Sequence, residues 1–253
     1  MLHSDVLAQQ IANLTRAGTK SFHPIGSVDA QRLAEALNDD AIGLTQAAAA
    51  SLFEGVQGVV DNRFTWATVK LYYSCFYAAR ARLMLRGSSI FYIGSSPYLL
   101  EAKAGCAVQK QSGNSHTVVI AEFARSLPSD VTISQDIATQ APLKWLEDRR
   151  NIASYRVAPF RDPEIPIDFR RFHSAPRRHL AAYLGRDRLL YAFDPDHAML
   201  ALPLLMLGCL NDDIDSLGLK GCNIDPHYIG ILSSKRCFVP ELEANLSALT
   251  FSK

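Results

Sequence analysis

The 253-residue sequence predicts a mainly α fold, and three observations carry that reading. Apolar residues recur at three- and four-residue spacing over long stretches free of proline. Residues that start and stop helices flank those stretches, among them Ser27, Ser115 and Pro142 at starts and Gly18 and Gly87 at ends. Strand-like patterns are few.

In chain order, Val6, Leu7, Ile11 and Leu14 predict a first helix that stops at Gly18, and SFHPIGS after it reads as a turn. Ser27 is placed to cap VDAQRLAEAL, with Asp29 at the positive end of that helix's dipole. A separate alanine-rich helix is expected from Leu44 to Val60. FTWATVKLYYSCFYAARARLMLRG, Phe64 to Gly87, reads as one long helix capped by Asp61 or Asn62. Its apolar face is expected to be Trp66, Val69, Tyr73, Phe76 and Leu83, widened by Tyr72 and Ala79. Residues 88–114 hold either a short strand pair or an irregular excursion. Ser115 opens a medium helix that ends at Pro128, and Ile133 to Ala141 is expected to add a turn or two of helix.

Pro142 suits the first turn of PLKWLEDRRNIASYRV, because its missing N–H costs nothing there. Pro159, Pro163 and Pro166 end that helix and impose an extended link. Ile167 to Leu184 is a further helix, interrupted or begun afresh near Pro176, and another runs from about Met199 to Leu210. The last segment is rich in loops, with YIGIL and KRCFV as candidate strands.

Composition excludes several classes. Hydrophobic residues at 48% and charged residues at 20% describe a globular chain rather than a disordered one. The longest apolar run, Ala198 to Leu210, contains Pro203 and is shorter than the roughly 20 residues of a membrane helix. No secretory signal pattern opens the chain, so no membrane partner and a cytoplasmic location are expected. Five scattered cysteines never form a C-x-x-C pair, so no metal site is expected and buried reduced thiols are the reading. Charge is uneven: residues 144–188 carry eleven Lys/Arg against six Asp/Glu, and residues 189–253 carry four against eight. The basic middle could attract phosphates or pair with the acidic C-terminal third.

The segment WLEDRRNIASYR concentrates polar chemistry. Arg150 and Tyr155 lie five residues apart, about 140° past one α-helical turn, with Asn151 four residues before Tyr155 on its face. The three make either a compact polar site or a solvated arginine face with a packed tyrosine.

Three stretches, in order, resemble the HEPN family of helical proteins. VKLYYSCFYAARARLMLRG is similar to the family's first core helix, with paired tyrosines, an aromatic residue and small residues before an arginine and leucine. GNSHTVVIAEFARSL is similar to the next segment, and RRNIASY to the hallmark helix. The resemblance covers about residues 44–172 and implies a helical bundle there, with 1–43 as an N-terminal helical extension and 173–253 as a small C-terminal α(+β) appendage. It also implies a homodimer that sets both hallmark motifs in a shared cleft. Many such proteins are metal-independent endoribonucleases of toxin–antitoxin or antiviral defence systems, acting without a cofactor; others bind RNA or nucleotides, or only mediate assembly. An antitoxin or a nuclease is the kind of protein partner implied.

Carried over, Arg150 matches the family's arginine and Asn151 its polar residue, while Tyr155 stands where active members have histidine. These three are the candidate catalytic residues. Metal-free RNA cleavage needs a base for the ribose 2′-hydroxyl, a cation on the phosphorane and an acid for the leaving oxygen. Arginine suits the cation's task, since its fork matches two phosphate oxygens. A tyrosine with an ordinary pKa near 10 is a poor base at neutral pH. Hence binding with slow cleavage or none is the expectation. Arg149 and Arg156 flank the motif as candidate phosphate contacts, and His116 could supply the missing imidazole or simply sit at a helix start. Arg170, Arg171, Arg177 and Arg178, in RRFHSAPRRH, suit a phosphate backbone or a solvated helix face. A non-catalytic dimerisation module that docks a partner protein is the competing reading.

Overall fold

The structure is a computed structural model that describes residues 2–17, 21–156, 162 and 164–219. It is mainly helical, with one small antiparallel sheet. The candidate strands YIGIL and KRCFV lie outside the described residues, as does most of the proline-rich link. The chain forms two compact units, Met1–Leu44 with Ala79–Pro128, and Thr45–Ala78 with Ser129–Lys253.

Helix α1 spans His3–Leu14 and buries Leu7, Ala8, Ile11 and Ala12, whereas Leu14, expected on that face, is exposed. Ser27–Val60 is one 34-residue helix, α2, where two had been expected. No proline divides it, and Gly43, just before the expected second helix, is exposed, with no described residue within 4 Å of where a Cβ would stand. Helix α3 spans Phe64–Leu85. It ends where predicted: Gly87 has φ +81°, and its N–H donates to the Met84 carbonyl at 2.8 Å. Its start differs from expectation. The Asp162 carboxylate accepts from the Thr65 N–H at 3.3 Å, while Asn62 adopts φ +58° and its side-chain oxygen contacts a His173 ring nitrogen at 2.8 Å.

The apolar face of α3 also departs from the predicted stripe. Of that stripe Tyr72, Phe76, Ala79 and Leu83 are buried as expected, but Val69 and Tyr73 are half-buried and Trp66 is 60% exposed, while Phe64, Ala67, Leu71, Cys75 and Ala78 are buried beside them. From Ala78 onward only Arg80 interrupts the buried run to Leu85, so periodicity is a weak guide there.

In the first unit, the N–H of Ser4 donates to Asp40 at 2.6 Å, and Arg80 bonds both Asp5 carboxylate oxygens at 2.9 and 3.0 Å. Residues 88–114, left open by the sequence, contain strands β1 (Ser88–Ile93), β2 (Ser96–Glu101) and β3 (Gln109–Lys110), in that order. Ile93 pairs with Ser96 across a two-residue turn in which Gly94 has φ +61°. Helix α4, Ser115–Ser126, is capped by Asn114, whose side chain accepts from the Thr117 N–H at 2.9 Å. It buries Glu122 against Arg125 and Ser126.

In the second unit α2 and α3 approach closely. A Cβ added at Gly55 would lie 2.7 Å from Leu71, and one at Gly58 would lie 3.2 Å from Ala67. Residues 133–141 form no further α-helix: a 3-10 turn, Val131–Ile133, precedes a reversal in which Ile137 pairs with Gln140 and Ala138 and Thr139 take positive φ. Helix α5 spans Pro142–Asn151, α6 Ile167–Ser174, α7 Pro176–Leu184, α8 Arg188–Ala192 and α9 Ala198–Ser216. The break at Pro176 is as predicted. Phe64 stacks on Phe169 at 5.7 Å and Phe172 on Tyr183 at 6.3 Å, seating α6 on α3 and α7. Among the described residues no helix is long and apolar enough to cross a membrane.

Candidate functional site

Helix α5 carries the hallmark-like segment. It buries Leu143, Trp145 and Leu146, and it is α only as far as Asn151. Ile152–Arg156 continue as a single π-helical turn, where one α-helix to Val157 had been expected. Such insertions are rare and frequent at functional sites. Their looser winding advances fewer degrees per residue, so the backbone offset between Arg150 and Tyr155 shrinks from its α-helical value. The side chains of Tyr155 and Arg156 lie outside the described residues.

Arg150 is half-buried in the last α turn. One terminal nitrogen donates to Asn151 Oδ1 at 2.8 Å and the other to the Tyr73 hydroxyl at 3.2 Å. Its guanidinium carbon lies 5.3 Å from the ring centre of Tyr72 and 5.6 Å from that of Tyr73, within cation–π range. Tyr73 also packs on Phe76 and Tyr77, with ring centres 6.2 and 5.6 Å away. Burial, and then the Glu147 carboxylate, push the Tyr72 phenol well above its ordinary range despite Arg150, so Tyr72 keeps its proton. The structure thus brings together the paired tyrosines of α3 and the Arg–Asn pair of α5. Sequence reasoning named Arg150 and Asn151 and missed Tyr72 and Tyr73 as site residues.

Arg149, one residue earlier and about 100° around the helix, serves another place. Its guanidinium stacks on Trp145 at 4.9 Å and pairs with Asp168 at 3.5 Å. It borders a cavity of about 290 Å³ that Thr65, Asp162, Glu164, Ile167 and Asp168 also line. Burial raises the pKa of Asp168, with Arg149 opposing. Three carboxylates against one guanidinium make this cavity hostile to a phosphate.

The remaining candidates stand on other elements. His116 lies half-buried in the first turn of α4, in the first unit. Arg170 and Arg171 are exposed on α6, Arg177 and Arg178 on α7. Arg171 pairs with Asp196 at 3.5 Å. Comparison with family models, curated proteins and solved structures finds no match to the chain.

Proposed function

We propose that the second unit is an HEPN-like module that binds RNA or a nucleotide phosphate at Arg150, works as a homodimer in a toxin or antiviral defence system, and cleaves slowly or not at all. The observation that carries this reading is the Arg150 guanidinium, oriented by Asn151 and held against Tyr72 and Tyr73. A fixed guanidinium offers a phosphate a permanent charge at a set position, and half-buried aromatic faces such as Tyr73 and Tyr77 offer bases a stacking platform. Asn151 orients the cation, which leaves Tyr155 as the candidate proton-transfer group. A tyrosine there limits removal of the 2′-hydroxyl proton.

The test is fluorescence anisotropy of the full chain with labelled single-stranded RNA over a range of salt. Arg150→Ala weakens binding by about tenfold or more and flattens the salt slope. Arg150→Lys recovers the charge but only part of the affinity, because an ammonium lacks the fork. Circular dichroism checks that both variants fold, and unchanged RNA affinity in a folded Arg150→Ala protein would sink the reading. A tight protein complex with no affinity for RNA would instead identify a non-catalytic interaction module, a reading that exposed Trp66 favours.

A further inference from the structure

Two imidazoles, from α7 and the start of α9, meet away from the Arg150 cluster, with Arg171 of α6 and Arg178 of α7 close enough for their charges to act on one of them. The rings of His179 and His197 lie 5.3 Å apart, centre to centre. Arg171 and Arg178 act on His179 together with His197, so every charged group acting on that ring is cationic when protonated. Asp196 faces the group through Arg171, and Asp194 and Tyr191 act on Tyr183 rather than on His179.

Tyr183 supplies the order. Its hydroxyl lies 2.8 Å from His197 Nδ1, and its ring is buried between those of Phe172 and His179. Burial holds its phenol far above the ordinary range, so it remains protonated. Among the described residues its only hydrogen-bond partner is that nitrogen, so the phenol donates and neutral His197 carries its proton on Nε2. Among the described residues neither nitrogen of His179 nor Nε2 of His197 makes a hydrogen bond, and both rings are partly exposed. Imidazoles that only filled the core would be expected to satisfy those nitrogens internally.

We propose that His179, His197, Arg171 and Arg178 form a binding site for a phosphoryl oxyanion, with Tyr183 positioning His197 to present its Nε2–H. Two guanidiniums supply charge and paired donors, and the Nε2–H of His197 and a ring N–H of His179 supply further donors. Binding therefore strengthens as pH falls below about 6.5, through the depressed range in which His179 gains its proton.

The experiment is a titration of the full chain followed by NMR of the histidine rings, with inorganic phosphate as the probe and chloride at matched ionic strength as the control. The signals of His179 and His197 move together and saturate, while those of His3 and His23 stay. In the Arg171→Gln/Arg178→Gln double variant, whose changes lie at exposed positions, saturation needs at least about tenfold more phosphate. Tyr183→Phe shifts the His197 Nδ1 resonance in the free protein, which a purely packing role for that ring would not do. Tighter saturation by a dinucleotide than by phosphate identifies a nucleic-acid strand as the source, and the reverse identifies free phosphate or a monoester. Equal movement with chloride, equal affinity in the double variant, or stoichiometric zinc uptake by the two rings that excludes phosphate would each defeat the proposal. Arg150→Ala leaves this titration unchanged, so failure here and failure at Arg150 are separate results.

Discussion

Gly55→Ala is the substitution whose outcome the structure determines most directly. The new Cβ would stand 2.7 Å from Leu71 Cγ, 2.8 Å from its Cδ2 and 3.4 Å from its backbone nitrogen. Carbon atoms are at ease at about 3.5–4.0 Å, so the overlap approaches 1 Å. Leu71 is fully buried and cannot swing into solvent. Overpacking of this kind costs about 1–3 kcal/mol, against about 1 kcal/mol gained by replacing glycine with alanine inside a helix. The control is Gly208→Ala in α9 of the same unit, where among the described residues the added Cβ meets only Arg188 Nη1 at 4.0 Å, so the propensity gain dominates. Gly58→Ala falls between them, since its Cβ would press on Ala67 Cβ at 3.2 Å. Propensity cancels in the comparison, so Gly208→Ala and Gly55→Ala should differ by about 1–3 kcal/mol. That separates their melting temperatures by on the order of 5 °C for a chain of this size. Thermal and urea denaturation followed by circular dichroism read the order directly. Equal midpoints for the three variants would show that α2 and α3 do not approach at Gly55 as described.

Two further outcomes follow from burial and from charge. The chain has two tryptophans, Trp66 at 60% exposure and Trp145 at 2%, so acrylamide should quench one part of the emission and spare the other; Trp66→Phe should remove the quenchable part. The imidazole of His179 is held below its ordinary value, by burial first and then by His197, Arg178 and Arg171. The folded protein thus binds that proton less readily than the unfolded chain, and the corresponding stability is complete above about pH 6.5 and lost as pH falls through the depressed value. The urea midpoint should drop on acidification, and His179→Gln should flatten part of that drop.

Helix boundaries were legible wherever the chain carries its own punctuation. Pro142 opens α5, Pro176 restarts the chain between α6 and α7, Gly87 closes α3, and each acts through local backbone geometry alone. The continuity of α2 was not legible, because VDAQRLAEAL and the alanine-rich stretch from Leu44 each read as a helix and the polar, glycine-containing residues between them say nothing about whether the two join. The β1–β2 hairpin left a usable signal, a glycine-containing two-residue turn between apolar runs, which supports a strand pair over an irregular excursion. At the site, Arg150 and Asn151 are chain neighbours and could be read together. Tyr73 is 77 residues from Arg150, and His197 is 14 residues from Tyr183 across an intervening helix; such pairings are made by tertiary packing, which periodicity does not encode. The π-helical turn after Asn151 likewise has no punctuating residue.

The pairing of charges also decides how the basic middle of the chain should be weighed. Its excess of arginine and lysine suggests either attraction to phosphate or pairing with the acidic C-terminal third, and part of it is matched by carboxylates among the described residues. Lys144 bonds Glu147 and Asp148, each at 2.9 Å, Arg149 faces Asp168, and Arg171 reaches Asp196 in that acidic third. Net charge alone is therefore a poor argument for a nucleic-acid partner, because part of it is spent in exposed pairs that contribute little. Adjacent arginines on α5 illustrate the difference. Arg149 stands in a cavity with three carboxylates, which would repel an incoming phosphate; Arg150 stands against the aromatic rings of α3, the surroundings on which the proposed phosphate contact depends. The reading rests on that difference in surroundings between neighbouring residues of identical chemistry.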